Sequence, residues 1–403
     1  MNSRPSNSDS SNLLKVTALL RSLILTAAML ISFPPSTVSA ADSSEMLVYF
    51  GTYTGGKSKG IYVSRFDGRT GKLGEPALAA ETSSPSFLAI HPDGKHLYAV
   101  NEVADFQGKR SGAVTGYSID SSTGRLSQLN QQPSIGDGPC HIIVDKAGAH
   151  VIVANYGGGS TTVLPVGKDR RLGAASAFVQ HTGSSVNKSR QEKPHAHCAT
   201  LDNANRFAFI ADLGLDQVLV FKYDSAKGTI VANNPPGGVV PAGSGPRHFA
   251  FDPKNNHGYV INEITCTLTA FKYDASKGAL QPIQTVSTLP AGESMRPEYS
   301  TAEIEVHPGG KFVYGSNRGH NTIAVFGIDE ASGKVSLVQH QSTLGKIPRS
   351  FGIDPSGRWL LAANQESDSV AVFAIDSVTG KLASAGQTIT VGKPVCVKFV
   401  ATH

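Results

Sequence analysis

Short apolar runs broken by Gly, Asp, Asn and Pro recur along this chain in one fixed order, at a spacing of roughly 50 residues. Each unit opens with an apolar strand that ends in His-Pro or Asp-Pro, as in Phe87-Leu-Ala-Ile-His-Pro92, Phe249-Ala-Phe-Asp-Pro253 and Phe351-Gly-Ile-Asp-Pro355. A turn rich in Gly, Asp or Asn reverses the chain. A second apolar strand then runs to an amide: Leu97-Tyr-Ala-Val-Asn101, Tyr259-Val-Ile-Asn262, Leu360-Leu-Ala-Ala-Asn364. A third strand alternates, as in Val370-Ala-Val-Phe-Ala-Ile375, and leads into an acidic residue, a short turn with glycine and an apolar residue. That marker reads Asp67-Gly-Arg-Thr-Gly-Lys-Leu73 at first and Asp376-Ser-Val-Thr-Gly-Lys-Leu382 at last, with a degenerate third copy near Gly167 to Leu172. Four short strands per unit, repeated seven times without helical periodicity, predict an all-β fold, a seven-bladed β-propeller.

The chain ends complete the pattern. Met46 to Thr52 reads as a second strand with no first strand before it, and Pro394 to Val400 as a first strand with no second strand after it. Pairing the N- and C-terminal strands closes the ring and removes two exposed sheet edges. Residues 41–403 then form a single propeller domain, and residues 1–40 stand apart. There Lys15 and Arg21 accompany an apolar stretch, Leu19 to Phe33, that ends at Val38-Ser-Ala40. This order predicts a secretory signal cleaved before Ala41, and hence an exported protein, periplasmic or extracellular. The stretch is short for a membrane span, and no later segment serves as one.

Composition narrows the partners. A formal net charge of +5 over 403 residues, part of it in the leader, offers no basic stripe for nucleic acid. The four cysteines lack any CxxC or other metal spacing and read as buried free thiols.

Polar exceptions to the apolar pattern fall at two places in every unit. First-strand starts carry Cys140-His141, His195-Ala-His197, Arg247-His248, Ala302-Glu303 and Arg349. Second-strand ends carry Asn101-Glu102, Asn155-Tyr156, Asp212, Asn262-Glu263, Ser316-Asn-Arg318 and Asn364-Gln365. In antiparallel pairs these two places are neighbours, so they converge on one mouth of the channel. The repeated Asn or Asp is expected to be a turn former bonding its own backbone. The residues that vary between blades are the candidates for a ligand site. His195 and His197 share a strand face, but no further ligand motif accompanies them and adjacent arginines oppose a cation, so no metal is expected. No nucleophile elbow or phosphate-cradling Gly loop is present.

On these motifs the chain resembles the lactonase family of seven-bladed propellers, which includes propeller-type 6-phosphogluconolactonases and carboxy-muconate lactonizing enzymes. Arg190-Gln-Glu-Lys-Pro-His-Ala-His197, Gly245-Pro-Arg-His248, Ala302-Glu-Ile304, Ser316-Asn-Arg-Gly319 and Pro348-Arg-Ser-Phe351 carry the resemblance. It implies a site of one His, two Arg and one Glu, which fall on His197 (or its neighbour His195), Arg247, Arg318 and Glu263. His141, His195, His248, Glu303 and Arg349 are expected to complete the rim and contact substrate, with Arg190 on an overhanging loop. The implied reaction is hydrolysis of a sugar lactone, with 6-phosphogluconolactone as the family's substrate and no cofactor. Glu263 is expected to act as general base or orienter, His197 to shuttle protons, and the arginines to hold an oxyanion, phosphate or carboxylate. A muconate-type cycloisomerase and a non-catalytic exported propeller are the alternatives.

Overall fold

Seven antiparallel sheets account for the strands of the computed structural model, which describes residues 45–402. The predicted leader over residues 1–40 lies outside the described residues. Six blades are simple four-stranded meanders. In the seventh, Pro394–Ala401 is the inner strand beside Glu45–Thr52, with Val397 opposite Phe50. Both ends of the propeller thus build one blade, as the unpaired terminal strands predicted.

The first strand of each blade lines the axis, and neighbouring first strands touch all the way round. Those that matter for the site are Pro139–Val144, Ala196–Leu201, Pro246–Phe251, Ser300–Val306 and Pro348–Ile353. Between blades the core is apolar and aromatic. Tyr49, Tyr98, Phe209, Tyr259, Phe271, Tyr314 and Phe373 are all fully buried.

The recurring Asp-turn-Gly marker has a physical explanation at its two ends. The Asp329 carboxylate accepts the backbone N–H of Ser332 at 2.9 Å, and Gly333 follows at φ +70°. A Cβ on Gly333 would lie 2.2 Å from the His257 ring of the preceding blade, so the turn must be glycine to seat there. The Gly333 carbonyl accepts from Tyr259 Oη at 3.2 Å. Each turn is therefore a joint between blades as well as a chain reversal.

One irregularity decides what reaches the channel. In six blades the pairing of first and second strands shifts register at the start of the first strand. An extra residue is inserted there: Cys140, His197, Arg247 and Arg349 in four of the blades, and Val395 in the closing one. Such a bulge breaks strict alternation, so two successive side chains can face the same side.

Candidate functional site

Second strands end in a pinned residue, and in five of the seven blades the side chain after it is Tyr53, Glu102, Tyr156, Glu263 or Arg318, which meet at the mouth. Asn262 Nδ2 donates to Thr267 Oγ1 at 2.9 Å and Thr269 Oγ1 at 3.0 Å. Asn317 Nδ2 donates to the Thr288 carbonyl at 2.8 Å. Asp212 accepts the N–H of His195 at 2.7 Å and of Gly214 at 3.0 Å. The amide ring is thus structural, as expected, but by a different route. Its members mostly bond third-strand hydroxyls and adjoining loops; only Asp212 shows the short-range turn bond. Their function is to fix where Tyr53, Glu102, Tyr156, Glu263 and Arg318 begin.

Glu263 is the centre of the charge cluster. Arg247 Nε lies 3.0 Å from its Oε2, Arg318 Nη2 lies 2.9 Å from the same oxygen, and Arg190 Nη2 bonds its Oε1. Arg247 and Glu263 are both almost fully buried, whereas the Arg190 side chain is 41% exposed. Backbone carbonyls orient the arginines: Arg247 Nη1 donates to Ala302 O and Arg318 Nη2 to Thr301 O, each at 2.8 Å. Arg190 rides on a loop fastened by Gln191, whose amide donates to Leu213 O at 2.9 Å and Asp216 Oδ1 at 2.8 Å.

Burial pushes the Glu263 carboxyl up, but Arg318, Arg247 and Arg190 together outweigh it and hold the group at about 2. Burial also lowers Arg318, to about 10, and Glu263 only partly restores it. The Arg318 Nε has no partner. Glu263 with both oxygens engaged is a poor proton acceptor. It orients guanidinium groups, so of the two roles expected for it the structure supports orienter over base.

Arg349 stands in the same mouth. Its Nη2 donates to Tyr53 Oη at 2.9 Å, and Tyr53 donates to both oxygens of Glu102, at 3.0 and 2.9 Å. His195 and His197 flank the Tyr156 ring, the first stacked at 4.6 Å and the second edge-on at 5.3 Å. His195 is also fixed by Tyr156 O and Glu192. His197 is buried, and burial together with Arg247 and His248 keeps its pKa well below the ordinary histidine value. Its Nδ1 lies 3.6 Å from the Cys140 sulfur.

His141 and Glu303 are not on the rim. They line a separate cavity of about 440 Å³ with Thr200, Glu305, Lys398 and Phe399, and His248 stands between the two compartments. The reason is the bulge. Its residue meets the mouth, while the next one, His141, His248 or Glu303, faces the channel one step further along the strand. His248 Nδ1 and Glu303 Oε1 pair at 2.6 Å, and Ser350 Oγ donates to the other Glu303 oxygen at 3.3 Å.

Four residues of this arrangement have no role assigned from sequence. Glu102 and Tyr156 stand among the second-strand ends, and Tyr53 occupies the same register after Thr52. Lys398, with its ammonium 4.8 Å from the Phe87 ring centre, lies in the closing strand, where no motif marks it.

Among the described residues, His91, Asp93 and His96 are close enough to suggest a metal site. However, His91 bonds Gly148 O through Nε2 and Asp93 N through Nδ1. His307 makes the same two bonds, to Gly357 O and Gly309 N, so this is a repeated turn device.

The family model for the seven-bladed β-propeller lactonases matches residues 47–399. A Bacillus subtilis 6-phosphogluconolactonase is 37% identical over 87% of this chain and 97% of its own length. A Formosa agariphila 6-phosphogluconolactonase is 36% identical over 76% of this chain and 86% of its own. The solved periplasmic gluconolactonase of Pseudomonas aeruginosa superposes with a TM-score of 0.83 at 34% identity, covering 89% of this chain and all of that one.

Proposed function

The chain belongs to the seven-bladed β-propeller lactonase family, and on that premise we propose that it hydrolyses a sugar lactone carrying a phosphate, 6-phosphogluconolactone being the leading substrate. One observation carries the choice. The mouth gathers four guanidinium groups, Arg190, Arg247, Arg318 and Arg349, against two carboxylates, Glu263 and Glu102. The positive excess suits a dianionic group, because a guanidinium offers paired donors and a fixed charge to a phosphate. The same donors can face the oxyanion that forms when water adds to a lactone carbonyl.

The predicted leader extends this reading to an exported enzyme, and the periplasmic gluconolactonase relative supports that setting. The name of that relative also favours a second reading, in which the substrate is the unphosphorylated lactone. A direct comparison decides between them. Purified residues 41–403 should consume the phosphorylated lactone faster than it hydrolyses spontaneously, with a higher kcat/KM than for gluconolactone. A higher kcat/KM for gluconolactone would assign the second substrate. Rates equal to the uncatalysed ones for both would remove the hydrolase reading.

A further inference from the structure

Both oxygens of Glu263 are taken by arginines, so the hydrolase reading calls for another group to accept the proton of the attacking water. A second carboxylate in the mouth is free of that constraint. Glu102 follows Asn101, which is pinned by Thr82 and Thr115, and so occupies the register position that Glu263 and Arg318 hold in their own blades. Its oxygens accept only neutral donors, Tyr53 Oη and Ser86 Oγ, and no ion pair engages it among the described residues.

Glu102 also lines a small cavity of about 10 Å³ together with His197, Arg247, His248 and Arg349. That is the space of one water molecule, and a water there would have several polar partners. His248, which lines this cavity, is 3% exposed, and its Nε2 is without a partner.

We propose that Glu102 is the general base of the hydrolysis, accepting a proton from a water held in this cavity beside His197 and His248. The proposal rests on the hydrolase reading. As the water oxygen bonds the carbonyl carbon, one O–H bond breaks and its proton passes to the Glu102 carboxylate. The carbonyl electron pair moves onto oxygen, facing the arginines. Collapse of this adduct re-forms the carbonyl and breaks the bond to the ring oxygen, which leaves with the proton returned by Glu102. The product is the open hydroxy acid, which loses its carboxyl proton to solvent, and Glu102 is again ionised.

The titratable and charged groups around Glu102 are Tyr53, Cys140, His197, Arg247, His248 and Arg349. Burial raises Tyr53 and Cys140 above their ordinary values. Burial holds His197 and His248 below theirs, the latter despite Glu303. Both imidazoles are therefore uncharged at neutral pH, and Glu102 is the one carboxylate lining this cavity.

The test is the pH dependence of kcat and KM from about pH 4 to pH 7.5 for wild type, Glu102→Gln and Glu102→Asp. The wild type should show an acid limb in kcat. Glu102→Gln should lose at least about 100-fold in kcat with KM within about 3-fold, and the limb should vanish. Glu102→Asp, which keeps a carboxylate, should retain the limb at a reduced rate, showing that the site still folds. A Glu102→Gln enzyme within about 3-fold of wild type, or one that is slower but keeps the same acid limb, would overturn the proposal and leave the hydrolase reading intact. A wild type with no lactone turnover would overturn both.

Discussion

Arg247 Nε lies 3.0 Å from Glu263 Oε2, with both side chains less than a tenth exposed, although Arg247 enters the mouth from a bulge and Glu263 from a strand end. Two different local devices in one blade therefore make the central contact of the site. A buried charge pair of this kind is costly to break, because the partner left behind cannot reach water.

Glu263→Gln should accordingly destabilise the fold by about 3 kcal/mol at neutral pH, read as a lower urea midpoint. Arg190, being well exposed, contributes little to that loss. The pH sign is fixed by the depressed carboxyl. Its stabilisation is fully present above the ordinary value of 4.5 and is lost as pH falls from there toward about 2. Wild type should lose stability over that window more steeply than the glutamine variant.

Glu305 should behave in the opposite way. Burial raises its carboxyl to about 7, against the pull of Lys398. The folded protein therefore holds a proton that the unfolded chain releases, and stability falls as pH rises from 4.5 through about 7. Glu305→Gln should remove this decline and gain on the order of 1–3 kcal/mol above pH 7, measured as the difference in denaturant midpoints between pH 5 and pH 8.

Gly333→Ala tests the joint between blades. The added methyl would meet the His257 ring at 2.2 Å on a backbone with φ +70°. A loss of about 2–4 kcal/mol in unfolding free energy is expected, from left-handed strain and overpacking together. Lactone turnover below the unfolding transition should be little changed, because the turn lies away from the mouth.

Arg190→Ala tests phosphate recognition. Removing one charge-assisted hydrogen bond should raise KM for the phosphorylated lactone by about 10- to 100-fold. The KM for gluconolactone should move far less, since that lactone offers no phosphate. An equal change for both would place Arg190 in general support of Glu263 instead.

The sequence makes the ring itself legible, because the period, the terminal half-blade and the Asp-turn-Gly joints all follow local chemistry. It also brings Arg247, Glu263 and Arg318 to one mouth, since strand starts and strand ends must meet in antiparallel pairs. Depth along the channel is less legible. Strict two-residue alternation gives no warning that Arg247 and His248, or Cys140 and His141, serve successive levels, because a bulge is set by pairing across strands. Glu102 and Tyr156 carry the same register mark as Glu263, yet a lone residue after Asn reads as a turn. Lys398 sits in an apolar closing strand, and only the closed ring brings it to Glu303 and Glu305.

The central claim is that the arginine-rich mouth hydrolyses a phosphorylated sugar lactone. Its most direct measurement is the initial rate of 6-phosphogluconolactone loss with purified residues 41–403, beside the Arg247→Met, Arg318→Met double variant and an enzyme-free control. The account predicts rapid loss with the wild type and a rate indistinguishable from the control with the double variant, whose mouth has lost both arginines on Glu263 Oε2. Wild-type loss no faster than the control, or undiminished turnover in a folded double variant, would contradict it.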